Sequence, residues 1–97
     1  MTVTSLARLQ FWYHSQCDGD WEHQFGVHVE TLDNPGWSVK IGLKDTDHED
    51  QEFVQIQVQR SEEDWLHISR TPDIFRIACG PQNLEESLAI FCDWAGV

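Results

Sequence analysis

Between Phe25 and Leu43 the chain alternates apolar and polar residues twice, and Asp33-Asn34-Pro35-Gly36 separates the two alternations. Phe25, Val27, Val29 and Thr31 share one side before this tetrad; Trp37, Val39, Ile41 and Leu43 share one side after it. A period of two marks a strand with one buried face. Pro35 presets φ and has no N–H to donate, Gly36 can take φ > 0, and Asp33 and Asn34 can bond their own backbone, so the tetrad reverses the chain. The result is a β-hairpin with one apolar face, and the remaining segments are arranged around it.

Upstream, Ser5 is placed to cap a helix whose Leu6, Leu9, Trp12 and Tyr13, with Gln16 or Cys17 a turn later, form a stripe that ends by Gly19. Trp21 follows as a lid over the core edge. Downstream, the polar run from Lys44 to Glu52 reads as a connection that does not pack. Val54, Ile56 and Val58 alternate with glutamines as a third strand, Leu66 and Ile68 mark a fourth, and Ile74 to Cys79 a fifth. Asn83 with Glu86 resembles a capping box for a C-terminal helix striped by Leu84, Leu88, Phe91 and Ala95 and closed by Gly96. The β connections are short enough for antiparallel neighbours. The expected fold is α+β: a five-stranded antiparallel β-meander flanked by an N-terminal and a C-terminal α-helix, one domain over residues 1–97. The helices cover one face of the sheet, and the Gln, His, Lys and Arg positions of the other face water or a partner.

A domain of 97 residues hides only about 60–65% of its unfolded surface, so five Trp and five Phe are needed for a compact core. No apolar run is long enough to span a membrane, and the N-terminus lacks the basic and apolar regions of a secretory signal, which makes the cytoplasm the expected location. Three cysteines, Cys17, Cys79 and Cys92, are an odd set and read as reduced thiols. Seventeen acids against six bases give a net charge of −11, which repels nucleic acid and anionic membranes and favours a basic protein partner.

Chemistry-bearing constellations are incomplete. Asp45, Asp47 and Glu49 alternate as in a calcium loop, but Asp50 stands where an EF-hand needs Gly and Ile56 where it needs a carboxylate. His14, Cys17 and His23 lack zinc-ligand spacing. Asp20 with Glu22, or Cys17 with His23, lacks an orienting group and an oxyanion donor. These readings assign no catalytic residue, metal or cofactor.

Four segments carry a resemblance: Gln-Cys-Asp-Gly-Asp-Trp-Glu-His at 16–23, Thr-Leu-Asp-Asn-Pro-Gly-Trp-Ser-Val-Lys-Ile at 31–41, Arg-Ser-Glu-Glu-Asp-Trp at 60–65 and Gly-Pro-Gln-Asn-Leu-Glu-Glu at 80–86. Together they resemble the immunity protein 53 family of bacterial polymorphic toxin systems over nearly the whole chain. The resemblance implies a cytoplasmic antidote that binds a cognate toxin domain and brings no catalytic residues with it. The charge suggests a basic toxin, a nuclease among the candidates. The alternatives are a small metal-dependent or Cys/His hydrolase and a generic acidic adaptor; oligomeric state is left open. Trp21, Pro35, Gly36 and Trp37 are the motif residues expected to be structural.

The strand directions gather Asp18, Asp20, Glu22, Asp45, Asp47, Glu49, Asp50, Glu52 and Asp73 at one end of the sheet, with Lys44 and Arg70 beside them. The first eight form the expected toxin-binding surface. Trp65, which shares parity with His67 and Ser69 on the polar face, is the expected aromatic anchor.

Overall fold

The computed structural model describes residues 3–97; the first two residues of the N-terminal segment read above for a targeting signal lie outside them. Its elements are α1 (Ser5–Gln16), α2 (Trp21–Gln24), β1 (Val27–Leu32), β2 (Gly36–Gly42), β3 (Ile56–Gln59), β4 (Trp65–Arg70), β5 (Ile74–Cys79) and α3 (Leu84–Ala95). The five strands form one antiparallel sheet, so the α+β class with a helix at each terminus is as expected.

The strand order differs from a continuous meander. It is β1-β2-β5-β4-β3, with β5 inserted beside β2 and β3 displaced to the far edge. Burial explains the choice. Phe75, Ile77 and Cys79 of β5 are at most 2% exposed and need a strand on each side, whereas β3 has four residues and only half-buried apolar positions. Short, polar strands are what a sheet tolerates at its edge. The connection through residues 43–55 is long enough to cross the roughly 14 Å that separates β2 from β3 at three inter-strand spacings.

Register builds the core as rows across the sheet. Val29, Val39, Ile77, Ile68 and Ile56 form one row, and Trp37, Cys79, Leu66 and Val58 the next. Helices α1 and α3 cover this face. Ser5, Leu9 and Trp12 are the buried residues of α1, at i, i+4 and i+7, while Leu6, Phe11 and Tyr13 are exposed. The expected stripe through Leu6 and Tyr13 is therefore rotated by one position. Thr4, not Ser5, caps the helix: its side-chain oxygen accepts from Ala7 N at 3.1 Å, and Ser5 is buried with its N–H donating to Glu85 Oε1 of α3 at 2.9 Å. In α3, Ser87, Leu88, Phe91, Cys92 and Ala95 are buried, and Gly96 ends the helix in the left-handed region at φ 76°. Asn83 precedes α3 without a side-chain capping bond; its side chain instead donates to Asp64 Oδ1 and Glu86 Oε1 and accepts from Trp65 N, tying α3 to the start of β4.

Three other expectations are corrected. Trp21, in the helical turn α2, is 2% exposed and meets Trp12 edge to face at 5.7 Å, so it is core and not a lid. Val54 is 86% exposed and outside β3; the neighbouring Phe53 packs in its place, 4.8 Å from Phe75. Gly36 does not use a positive φ. It opens β2 after the three-residue loop Asp33-Asn34-Pro35, and a Cβ there would fall on the carbonyl oxygen of Cys79 in β5.

That close approach is why β5 can lie against β2. Gly36→Ala must push the strands apart, at an expected cost of about 1–3 kcal/mol, lowering the melting temperature by roughly 5–15 °C for a domain of this size. Pro35→Ala, in the exposed loop, should cost under about 1 kcal/mol. Thermal denaturation followed by circular dichroism compares the two.

Candidate functional site

Arg70 closes β4 and organises the acidic end. Its guanidinium donates to main-chain carbonyls only: Nη1 to His48 O at 3.1 Å and Gln51 O at 2.5 Å, Nη2 to Glu49 O at 2.6 Å and Pro72 O at 2.9 Å, and Nε to Thr71 O at 3.0 Å. The fixed fork of five donors suits an arginine to this task where a lysine could not reproduce it. The clamp holds residues 48–51 against the 71–72 turn.

The segment after β2 consequently packs, contrary to the expectation from its polarity. His48 lies between two indoles, 6.1 Å from the buried Trp12 and 5.5 Å from the half-buried Trp94. Gln51 Nε2 donates to Trp94 O and Trp94 Nε1 to Glu52 O, both at 2.8 Å. Asp45 sits in the left-handed region at φ 63°, which Asp tolerates better than most residues, and its N–H donates to Glu49 Oε1 at 2.6 Å.

A second acidic turn stands on the other side of Trp12. Asp18 Oδ1 accepts from Asp20 N and Trp21 N at 2.9 and 3.0 Å, while Glu22 accepts from Asp18 N and Gly19 N at 2.9 and 2.8 Å. Gly19, at φ 97°, permits the reversal. The main-chain N–H groups of Trp21 and Asp20 hold the Asp18 carboxyl below its ordinary range, and those of Glu22 itself, Asp18 and Gly19 do the same for Glu22.

Strand direction survives the change in strand order, so the expected gathering of acids does too. Gly42 N donates to Gly26 O at 2.9 Å and Leu43 N to Asp73 O at 2.8 Å, bringing the entry to β1, the exit of β2 and the β4–β5 turn to one end. Glu49, Asp50, Glu52 and Asp73 line one cleft with Arg70. The ion pairs among the described residues are Arg8–Asp93, Arg60–Asp64 and Arg60–Glu86, so none of the nine acids at this end is neutralised by one. Trp65 is not part of this group. It begins β4 on the open face, its ring 5.1 Å from that of His67, and five residues of strand, about 17 Å, separate it from Arg70. Of the motif residues, Trp37 is half-buried with its Nε1 donating to Pro81 O at 3.0 Å.

Of the other chemistry-bearing side chains, His14, Asp20 and His23 are exposed, whereas the three cysteines are hydrogen-bonded or buried. Cys17 Sγ donates to Tyr13 O, and burial raises the Cys79 and Cys92 thiols above their ordinary range. Among the described residues no group of three His, Cys, Asp or Glu side chains could hold a metal ion. No described helix is long and apolar enough to cross a membrane. What the sequence reading missed is Arg70 as a clamp and His48 as a wedge.

Two measurements test this arrangement. Arg70→Met should destabilise by roughly 1.5–3 kcal/mol and speed amide exchange across residues 45–53, with Arg70→Lys restoring little. Because Asp18 and Glu22 titrate lower folded than unfolded, their stabilisation is fully present above the unfolded values, near pH 4, and is lost as pH falls through the folded ones. The amide resonances of Gly19 and Trp21 should therefore titrate with midpoints below the ordinary carboxylate range.

No curated protein and no solved structure matches the chain. The family model described as Immunity protein 53 matches residues 6–96, a span that runs from the first turn of α1 to the glycine that closes α3. The fold, its acidic end and its motif residues are thus those of a chain that belongs to the Immunity protein 53 family.

Proposed function

We propose that this immunity protein neutralises its cognate toxin in the cytoplasm by stoichiometric binding, without turnover, and that the toxin domain is basic, a nuclease being the class its charge would fit. The single observation that supports this reading most is the acidic end: nine carboxylates without an ion-pair partner among the described residues, five of them on the loop after β2 that Arg70 holds in place. Unneutralised charge on one end of a small domain steers an oppositely charged partner and raises its association rate. A pre-ordered loop also reduces the conformational entropy lost on binding. Trp65, at the opposite end of β4, is a second contact only for a toxin large enough to reach across the open face.

Co-expression with the toxin encoded beside this gene should restore growth, and titration calorimetry should give one-to-one binding. Singly substituting Cys17, His23 or Asp20 should leave protection in place; protection at substoichiometric amounts would instead mean turnover. Changing Asp45, Asp47, Glu49 and Asp50 together to Asn or Gln keeps the Glu49 acceptor for Asp45 N and removes the charge. Association measured by stopped flow should slow by at least tenfold at low salt and lose most of its salt dependence, with an unchanged melting temperature.

A further inference from the structure

One edge of the sheet is open. β1 pairs with β2 alone, and no other described backbone or side-chain group hydrogen-bonds to its main chain. Gly26 and Gly42 form a hydrogen-bonded pair, so by antiparallel alternation the main-chain groups of His28, Glu30 and Leu32 face β2, and those of Val27, Val29 and Thr31 face outward. Sheets commonly blunt such an edge with Lys, Pro or a bulge. Val-His-Val-Glu-Thr-Leu has none of the three, and its pairing with β2 is continuous from Val27 to Leu32.

Beside this edge runs an apolar groove. Leu6 and Tyr13 of α1 form one wall, Val27 and Val29 the other, and Leu9 and Phe25 the floor. Leu6 is 55% exposed, Val29 46% and Tyr13 39%, so both walls present uncovered apolar side chains. No basic side chain lines the groove; the one charged residue is Glu22, where the groove meets the acidic turn of residues 18–22.

We propose that an extended segment of the basic cognate toxin docks here as a sixth strand, pairing its main chain with Val27, Val29 and Thr31 and placing alternate apolar side chains between α1 and β1. The proposal rests on the binding role argued above and locates its contact. Strand addition of this kind takes affinity from main-chain hydrogen bonds and specificity from pockets for alternate side chains. Charge decides the occupant. Glu22 and Glu30 flank the open edge, and a second copy would bring a further net charge of −11 against them, whereas a basic segment is attracted by both. The acidic end that steers encounter is continuous with the groove through Glu22.

The test uses the full chain with the toxin domain encoded beside it. Thr31→Pro removes an outward N–H from an edge position where proline is tolerated, and Leu6→Lys places on an already exposed groove wall a positive charge that repels a basic segment and spoils the apolar surface. Each should weaken the complex at least tenfold in calorimetry, at a melting temperature within a few degrees of the parent. In the unsubstituted protein, hydrogen exchange at Val27, Val29 and Thr31 should slow only when toxin is bound. A complex that forms normally, with both variants binding within twofold and those amides unprotected, would overturn the docking site while leaving the binding role intact. Failure of the unsubstituted chain to bind would overturn the binding role and the docking site with it. Protection of β1 without toxin, in a dimer seen by sedimentation, would assign the edge to a second copy and overturn the proposal. Should Thr31→Pro unfold the chain, Leu6→Lys and exchange in the unsubstituted complex decide.

Discussion

Phe91 is the point on which the molecule is assembled. Its ring meets Trp12 of α1 edge to face at 5.0 Å and Phe75 of β5 at 4.9 Å, with Trp94 one turn along α3 at 6.0 Å. One side chain therefore joins both helices to the central strand. Rings at these separations and tilts gain energy beyond their buried area. From this cluster the contacts extend outward: Trp12 to Trp21 on one side and His48 on the other, Trp94 to Phe53 and His48. The helical turn α2 and the loop after β2 have little apolar content of their own, and both are held by indoles that contact the cluster. A small core can thus hold two long polar segments in place, because each needs only one or two ring contacts and a set of main-chain hydrogen bonds.

Alternation made the sheet legible. Every strand was readable within about two residues, because period-two patterning with β-branched and aromatic residues is strong, above all in β2, β4 and β5. Order was not legible, since antiparallel strands of equal direction satisfy the same pattern in either arrangement. The burial demand of β5 decided it, and that emerges only when both of its neighbours are known. The loop after β2 misled for another reason. Its composition is that of solvated chain, and the groups that pin it, the Arg70 guanidinium and the carbonyls it binds, leave no period in a sequence. Phe53 and His48 were the available signals: an aromatic and an imidazole inside an otherwise acidic run.

For the candidate surface, the gathering of acids followed from strand direction alone and was unaffected by the order. Their individual duties did not follow. Asp18, Glu22 and Glu49 accept from main-chain N–H groups and shape their own turns, while Asp20, Asp45, Asp47, Asp50, Glu52 and Asp73 have carboxylates that accept no described hydrogen bond. Trp65 was correctly placed on the open face by parity, yet sits at the far end of its strand from the acids. Parity reports which face a residue occupies; position along the strand needs the turns.

The Arg70 clamp has an evolutionary consequence. It reads carbonyl oxygens, which every amino acid supplies, so it constrains the path of the loop and not the side chains at Asp47, Asp50 or Glu52. Those three positions can drift in charge and shape while the loop keeps its course and the core keeps its contacts. In the proposed role, an antidote that must follow a changing adversary would gain from such a division: the scaffold would be inherited through the main chain and the surface offered to the toxin rewritten one side chain at a time.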